Sequence, residues 1–186
     1  APYFVRGSLD FKPADAPWLS GVGTVDGASL SDLIDSIGDV KWFLDMFRGR
    51  VGGRVTGRVS ISGPALASTS VFDLGFEDAV FLNRPFGKGS LRMRIEDGER
   101  LVLTEARFAG PSGTWRGSGR VAFDGAVDLP FEVSGAPMGV LALPDWDYLH
   151  VGGTVSGTGR AHGTQPPVLA DATLAIDDAS SQGAPL

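Results

Sequence analysis

Along most of the chain apolar and polar residues alternate one by one, the pattern of strands that keep one face dry. In Tyr3–Phe11 the odd positions are apolar or Gly, while Arg6, Ser8 and Asp10 are polar. After Pro13 and Pro17 a weaker strand is predicted at Gly21–Val25. The period then changes. Leu30, Leu33, Ile34, Ile37, Val40, Leu44 and Phe47 are spaced by three and four and make one stripe of a helix over Ser29–Phe47, with Ser29 or Ser31 as its N-cap.

Alternation resumes at Val51, Val55, Val59 and Ile61, with Gly53 and Gly57 on the same side and Arg54, Thr56, Arg58 and Ser60 on the other. Short strands follow at Phe72–Leu74–Phe76, at Ala79–Phe81 and at Leu91–Met93–Ile95, then at Leu101–Leu103 with a less regular continuation to Phe108. A turn at Gly110–Gly113 leads into a strand whose one face is Trp115, Gly117, Gly119, Val121 and Phe123. Asp124-Gly125 is a tight-turn signal and predicts a hairpin with Val127, Leu129, Phe131 and Val133. Pro130, on the polar side of that arm, points to an edge or bulged position. Gly135–His150 reads as a linker or short helix, followed by strands at Val151–Gly157 and near Ala170–Ile176. Beyond Asp178 no large apolar residue remains before the last position, which predicts an unordered tail.

One stretch occurs twice. Val51-Gly52-Gly53-Arg54-Val55-Thr56-Gly57 returns as Val151-Gly152-Gly153-Thr154-Val155-Ser156-Gly157, and Gly63 with Pro64 is answered by Gly163 with Pro166. Both copies follow a helix-prone or linker segment and lead into an alternating strand, so the repeated unit holds several strands and shares a core with its neighbour. The chain divides accordingly into the end of a preceding β unit (1–28), an amphipathic helix (29–47), a β meander unit (48–133), a linker or short helix (134–150), the start of the next β unit (151–178) and the tail (179–186).

Composition narrows the chemistry. The 27 Gly and 12 Pro suit many short strands, and the net charge of −6 is spread without a basic stripe, which argues against nucleic acid. There are no cysteines, hence no disulfides and no thiolate metal sites. No apolar run reaches eighteen residues, and Ala1 opens onto strand-like sequence, so neither a membrane span nor a signal peptide is predicted in the chain as written. Gly87-Lys88-Gly89-Ser90 lacks the spacing and the Ser or Thr after Lys of a phosphate loop and reads as a turn with a solvated lysine. His150 and His162 lack ligand spacing with carboxylates. Asp145, Asp147, Asp177 and Asp178 lack a calcium loop and read as solvated charges. No catalytic residues, metal or cofactor are predicted.

The Gly-rich repeat, the Gly and Pro that follow it, and the stretch Gly113–Val133 (GTWRGSGRVAFDGAVDLPFEV) together resemble the TamB branch of the AsmA-like superfamily over most of Tyr3–Asp178. The resemblance implies a non-enzymatic, mostly β protein, an antiparallel meander curled into an open, taco-like groove with an apolar interior, plus one amphipathic helix. It implies a periplasmic segment of a parent anchored in the inner membrane. That parent would carry phospholipid between inner and outer membranes, aid outer-membrane assembly and work with an Omp85-class outer-membrane protein.

The groove is expected to bind phospholipid acyl chains through Val55, Val59, Ile61, Phe72, Leu74, Phe76, Leu91, Met93, Ile95, Leu101, Leu103, Trp115, Val121, Phe123, Leu129 and Phe131. Burial of alkyl surface gains about 0.8 kcal/mol per methylene without polar recognition. The helix over Ser29–Phe47 would plug one mouth or edge of the groove, because its Asp32, Asp35, Asp39 and Asp45 are the wrong charge for anionic lipid. Neighbouring β units of the same parent chain are the other expected partners. The alternative from the same pattern is a structural β spacer or adhesin-like domain with a dry closed core. A carbohydrate-binding sandwich presenting Trp18, Trp42, Trp115 or Trp146 is a third reading.

Overall fold

The computed structural model describes residues 18–36, 48–64, 67–141, 151–164, 169–181 and 184–185. Nine long strands and one two-residue strand form a single antiparallel sheet in chain order. They are β1 (Trp18–Ser29), β2 (Val51–Pro64), β3 (Thr69–Phe81), β4 (Arg84–Glu96), β5 (Arg100–Gly110), β6 (Gly113–Ala122), β7 (Ala126–Pro137), β8 (Val151–Thr164), β9 (Leu169–Ser181) and β10 (Ala184–Pro185). Helix α1 (Leu30–Ser36) follows β1, and a single turn, α2 (Met138–Leu141), follows β7. β1 and β10 do not pair with each other, so the sheet is open. The protein is mostly β, an antiparallel meander curled with its apolar face inward.

Turn chemistry explains why the strands reverse where they do. Asp97 and Gly98 have φ of 54° and 64°, the positive values of a tight turn, and in the three-residue connection between Glu96 and Arg100 the Glu99 amide donates to the Glu96 carbonyl at 3.0 Å. Asp124-Gly125 turns β6 into β7 as the sequence predicts, with the Ala126 amide donating to the Asp124 carboxylate at 3.2 Å. Ser29 caps α1 by accepting from the Asp32 amide at 3.4 Å, and Leu30, Leu33 and Ile34 then face the sheet. The rest of the predicted helix, 37–47, lies outside the described residues, as do the strand over Tyr3–Phe11 and the Asp145–His150 stretch.

Several local expectations change. Phe72–Phe76 and Ala79–Phe81 are one strand, β3, interrupted by a bulge at Glu77–Asp78. The extra residue shifts the alternation by one, which makes one strand read as two. Gly87–Ser90 is not a turn but part of β4, with Lys88 exposed on it. β7 is central, not an edge: Pro130 is tolerated because the β6–β7 ladder is interrupted opposite it, between the Gly117–Phe131 and Arg120–Asp128 pairs. Ala179–Ser181 complete β9, and Ala184–Pro185 form β10, in the stretch expected to be an unordered tail.

The repeat is visible in the backbone. β2 and β3 correspond to β8 and β9 with every residue one hundred positions later: Gly57 pairs Leu74 as Gly157 pairs Leu174, and Val55 pairs Phe76 as Val155 pairs Ile176. The strand before each copy matches too. Val25 and Ala28 pair Gly57 and Val55 across a bulge, as Val133 and Ala136 pair Gly157 and Val155. The bulges hold a left-handed residue at Gly27, Asp78, Gly135 and Asp178. One unit therefore spans six strands, and β7 begins the second.

Candidate functional site: an apolar trough

Strand register lines up the inward residues in rows that cross the sheet. One row is Gly21, Ile61, Ser70, Ile95, Leu101, Val121, Val127 and Gly163. The next contains Gly23, Val59, Phe72, Met93, Leu103 and Gly119, with Leu129 following in β7. A third is Val25, Gly57, Leu74, Leu91, Ala106, Gly117, Phe131 and Gly159, and a fourth is Ala28, Val55, Phe76, Gly89, Phe108, Trp115, Val133 and Gly157. Fifteen of the sixteen residues named from the alternation stand in these rows, and Phe123 packs beside Val121 at the end of β6. At about 4.8 Å per strand, each row is on the order of 40 Å long.

Among the described residues the face is filled at one end and open along the rest. At the α1 end, Leu30, Val55, Phe76, Ala79 and Phe108 are buried together, with Phe81, Phe86 and Trp115 packed around them. Rings of β3 and β5, with β4 between them, meet at 5.5 Å between the Phe76 and Phe108 centroids. The Phe108 ring makes that approach by leaning across Gly89 in β4, where a Cβ would collide with it. Phe131 lies over Gly159 of the next strand in the same way. Phe108 was not among the residues expected at the site, because the bulge between Leu103 and Ala106 hides its parity.

Toward the other end, Leu101, Val121 and Val127 form a second small cluster with Met93, Leu103, Phe123 and Leu129 only partly buried around it. Val59, Ile61, Phe72 and Ile95 are half-buried as well. Among the described residues no second sheet and no long helix covers this part of the face. The result is a trough with an apolar floor and an open side.

The opposite face is charged and self-paired. Arg54 meets Glu77 at 3.0 Å, Arg92 lies between Asp73 at 3.4 Å and Glu105 at 3.9 Å, and Arg160 meets Asp128 at 2.6 Å. The Arg94 guanidinium, hydrogen-bonded to Glu96, holds that carboxyl below its ordinary value, with Arg100 adding to the effect. Arg160 does the same to Asp128, with Arg120 and His162 contributing, and Arg160 is itself raised by the Asp128 carboxylate. His162 meets Asp171 at 2.7 Å on this face.

A shallow depression of about 530 Å³ is lined by Glu105, Arg107, Arg116, Ser118, Pro130, Glu132 and the residues between them. Their register puts it on the charged face, away from the trough. Its arginines are answered by Glu105 and Glu132, which leaves no concentrated charge for an ion. No group of three metal-ligating side chains occurs among the described residues.

Compared with family models, with curated proteins and with solved structures, the chain matches none of them.

Proposed function

We propose that this protein binds lipid acyl chains in the trough and acts as one segment of a TamB-like periplasmic conduit that moves phospholipid between membranes. The observation that carries the reading is the open apolar face: four rows run across the sheet, made of glycine and apolar residues except for Ser70, and Met93, Ile95, Phe72 and Leu103 remain partly exposed. Exposed apolar surface of this extent marks an interaction site. An alkyl chain suits it because the floor is almost wholly apolar, and each methylene removed from water contributes about 0.8 kcal/mol. Gly117 lowers the floor in the third row, where an added Cβ would meet only the Pro130 carbonyl oxygen, at 3.5 Å. Placement in the periplasm, neighbouring β units of the parent chain and an Omp85-class partner belong to the same proposal and rest on the family resemblance. Catalysis has no part in it.

Photo-crosslinkers at Met93, Arg94 and Phe123 test it directly. In protein purified without detergent, lipid adducts should form from positions 93 and 123, which face the trough, and not from Arg94, which points outward. Native mass spectrometry of the same preparation should show co-purified phospholipid. Met93→Glu should leave the fold in place, because the carboxylate reaches water through the open side, and should abolish labelling at position 123. Equal labelling at 94, or no lipid at all, would sink the proposal.

A further inference from the structure

A crease crosses the sheet beside the aromatic cluster. Gly53, Asp78, Gly87 and Gly113, in β2, β3, β4 and β6, have φ of 105°, 52°, 75° and 85°. They lie on one line: a Cβ on Gly53 would sit 2.6 Å from the Asp78 carbonyl oxygen, Ala79 pairs with Gly87, and a Cβ on Gly87 would sit 2.8 Å from the α-carbon of Gly110, which pairs with Gly113. Strand pairing breaks along this line. The β2–β3 register shifts between Gly52 and Arg54, and the β3–β4 register shifts between Phe76 and Ala79 and again between Ala79 and Val80.

Beyond the crease the chain folds back over the inner face. Phe76 and Phe81 are five residues apart in β3, about 16 Å along a straight strand, yet their ring centroids are 6.2 Å apart. Phe81 also meets Phe108 at 5.1 Å, and Phe86 meets Phe108 at 6.1 Å and Trp115 at 5.7 Å. The folded strip is Val51–Gly52, Ala79–Phe81 and Arg84–Phe86, and Leu30, Leu33 and Ile34 of α1 pack on the same cluster. It is bonded within itself, since the Asn83 amide donates to the Arg50 carbonyl at 3.1 Å. Its far corner is tied to the turn between β5 and β6 by the Ser112 amide, which donates to the Pro85 carbonyl at 3.1 Å.

We propose that this strip and α1 form a flap that lifts as one body about the crease. Bulges interrupt the ladder in consecutive strand pairs on one line, so the sheet resists bending less there than where the β2–β3 ladder runs unbroken from Arg54 to Ser62. Ring contacts and the single bond from Ser112 hold the strip down. Lifting it bares Val55, Phe76 and Phe108 of the fourth row and widens the floor of the trough by about 6.6 Å, the spacing of like-facing residues along a strand. The flap thus sets the width of the trough, and its motion does not depend on what the trough holds.

The chain has no cysteine and Val55 is fully buried, so Val55→Cys places one thiol beneath the flap for maleimide labelling. Labelling should proceed through an opening whose urea dependence is less than about half that of global unfolding. The Asn83 amide, bonded within the flap, should be protected from hydrogen exchange at least about tenfold more strongly than the thiol is protected from labelling. Adding Phe86→Ala, which removes a ring that holds the flap down, should speed labelling at least about tenfold without raising its urea dependence.

Labelling with the full urea dependence of global unfolding overturns the proposal, because no separate opening then exists. Equal protection of the Asn83 amide and the thiol also overturns it, since the strand ends then fray one by one. So does unchanged labelling with Phe86→Ala. Should Val55→Cys fail to fold, Ala79→Cys, at a position 1% exposed in the same cluster, gives the same readout with the same outcomes.

Discussion

The two copies of the repeat share a backbone and differ in what covers it. Gly53 and Gly153 have φ of 105° and 121°, and the bulge residues Asp78 and Asp178 have φ of 52° and 54°. Val55 and Val155 are both fully buried, beneath the same turn from strand to helix, with Ala28 and Ala136 beside them. Next to this common centre the copies diverge. Phe76 is enclosed by α1, by Phe81 and by the Phe108 ring reaching across Gly89, whereas Ile176 has half its surface in water. Conserved register thus comes from the glycines and bulges within each copy, while burial comes from the strands that happen to stand beside it.

The largest effect should come from truncating the matched pair. Phe76→Ala should cost about 3–5 kcal/mol, because it empties a site in the aromatic cluster. Ile176→Ala should cost less than about 1 kcal/mol, since much of the side chain is already wet. Urea unfolding of the two variants measures the difference, and equal losses would break the comparison.

Backbone substitutions should show the reverse, a similar loss in both copies. A Cβ on Gly53 would sit 2.6 Å from the Asp78 carbonyl oxygen, and one on Gly153 2.8 Å from that of Asp177, both at positive φ. Gly53→Ala and Gly153→Ala should each cost about 1–3 kcal/mol in the same unfolding assay. If only the first is costly, the edge strand β9 yields to the intrusion and the backbone equivalence is looser than its register indicates.

The smallest effect concerns pH and should not distinguish the halves. Glu96 and Asp128 both have lowered carboxyl values in the folded protein, through Arg94 and Arg160 respectively. A lowered value means that the folded state binds the proton less well than the unfolded one. The contribution is therefore present above the unfolded value near pH 4 and is lost as pH falls through the folded value. Both groups are solvent-exposed, so the loss is small and shrinks further in salt. Glu96→Gln and Asp128→Asn should each flatten the fall of Tm below about pH 4 to a similar, slight degree. A steep loss from one alone would place an unrecognised acid-sensitive contact in that half.

Much of this architecture is written in short-range pattern. Alternation assigned Leu91, Met93 and Ile95 to one face and Arg92 and Arg94 to the other, because side chains of a strand point to opposite sides in turn and only one side is dry. Asp124-Gly125 announced its hairpin, and Asp97-Gly98 carries the same signal at the turn between β4 and β5, which the sequence reading passed over. The hundred-residue repeat was readable from Val51–Gly57 and Val151–Gly157 alone.

Tertiary structure decided what parity cannot carry. A bulge adds one residue and reverses every assignment after it, so the unity of β3 across Glu77–Asp78 and the inward direction of Phe108 depend on the partner strand's register. Pro130 suggests an edge by its chemistry, but its place in a central strand depends on where the ladder can spare a donor. Whether an apolar face becomes a closed core or an open trough depends on whether its two outermost strands meet. That is set by curl accumulated over the whole sheet, to which each strand contributes a little and which no single stretch of sequence encodes.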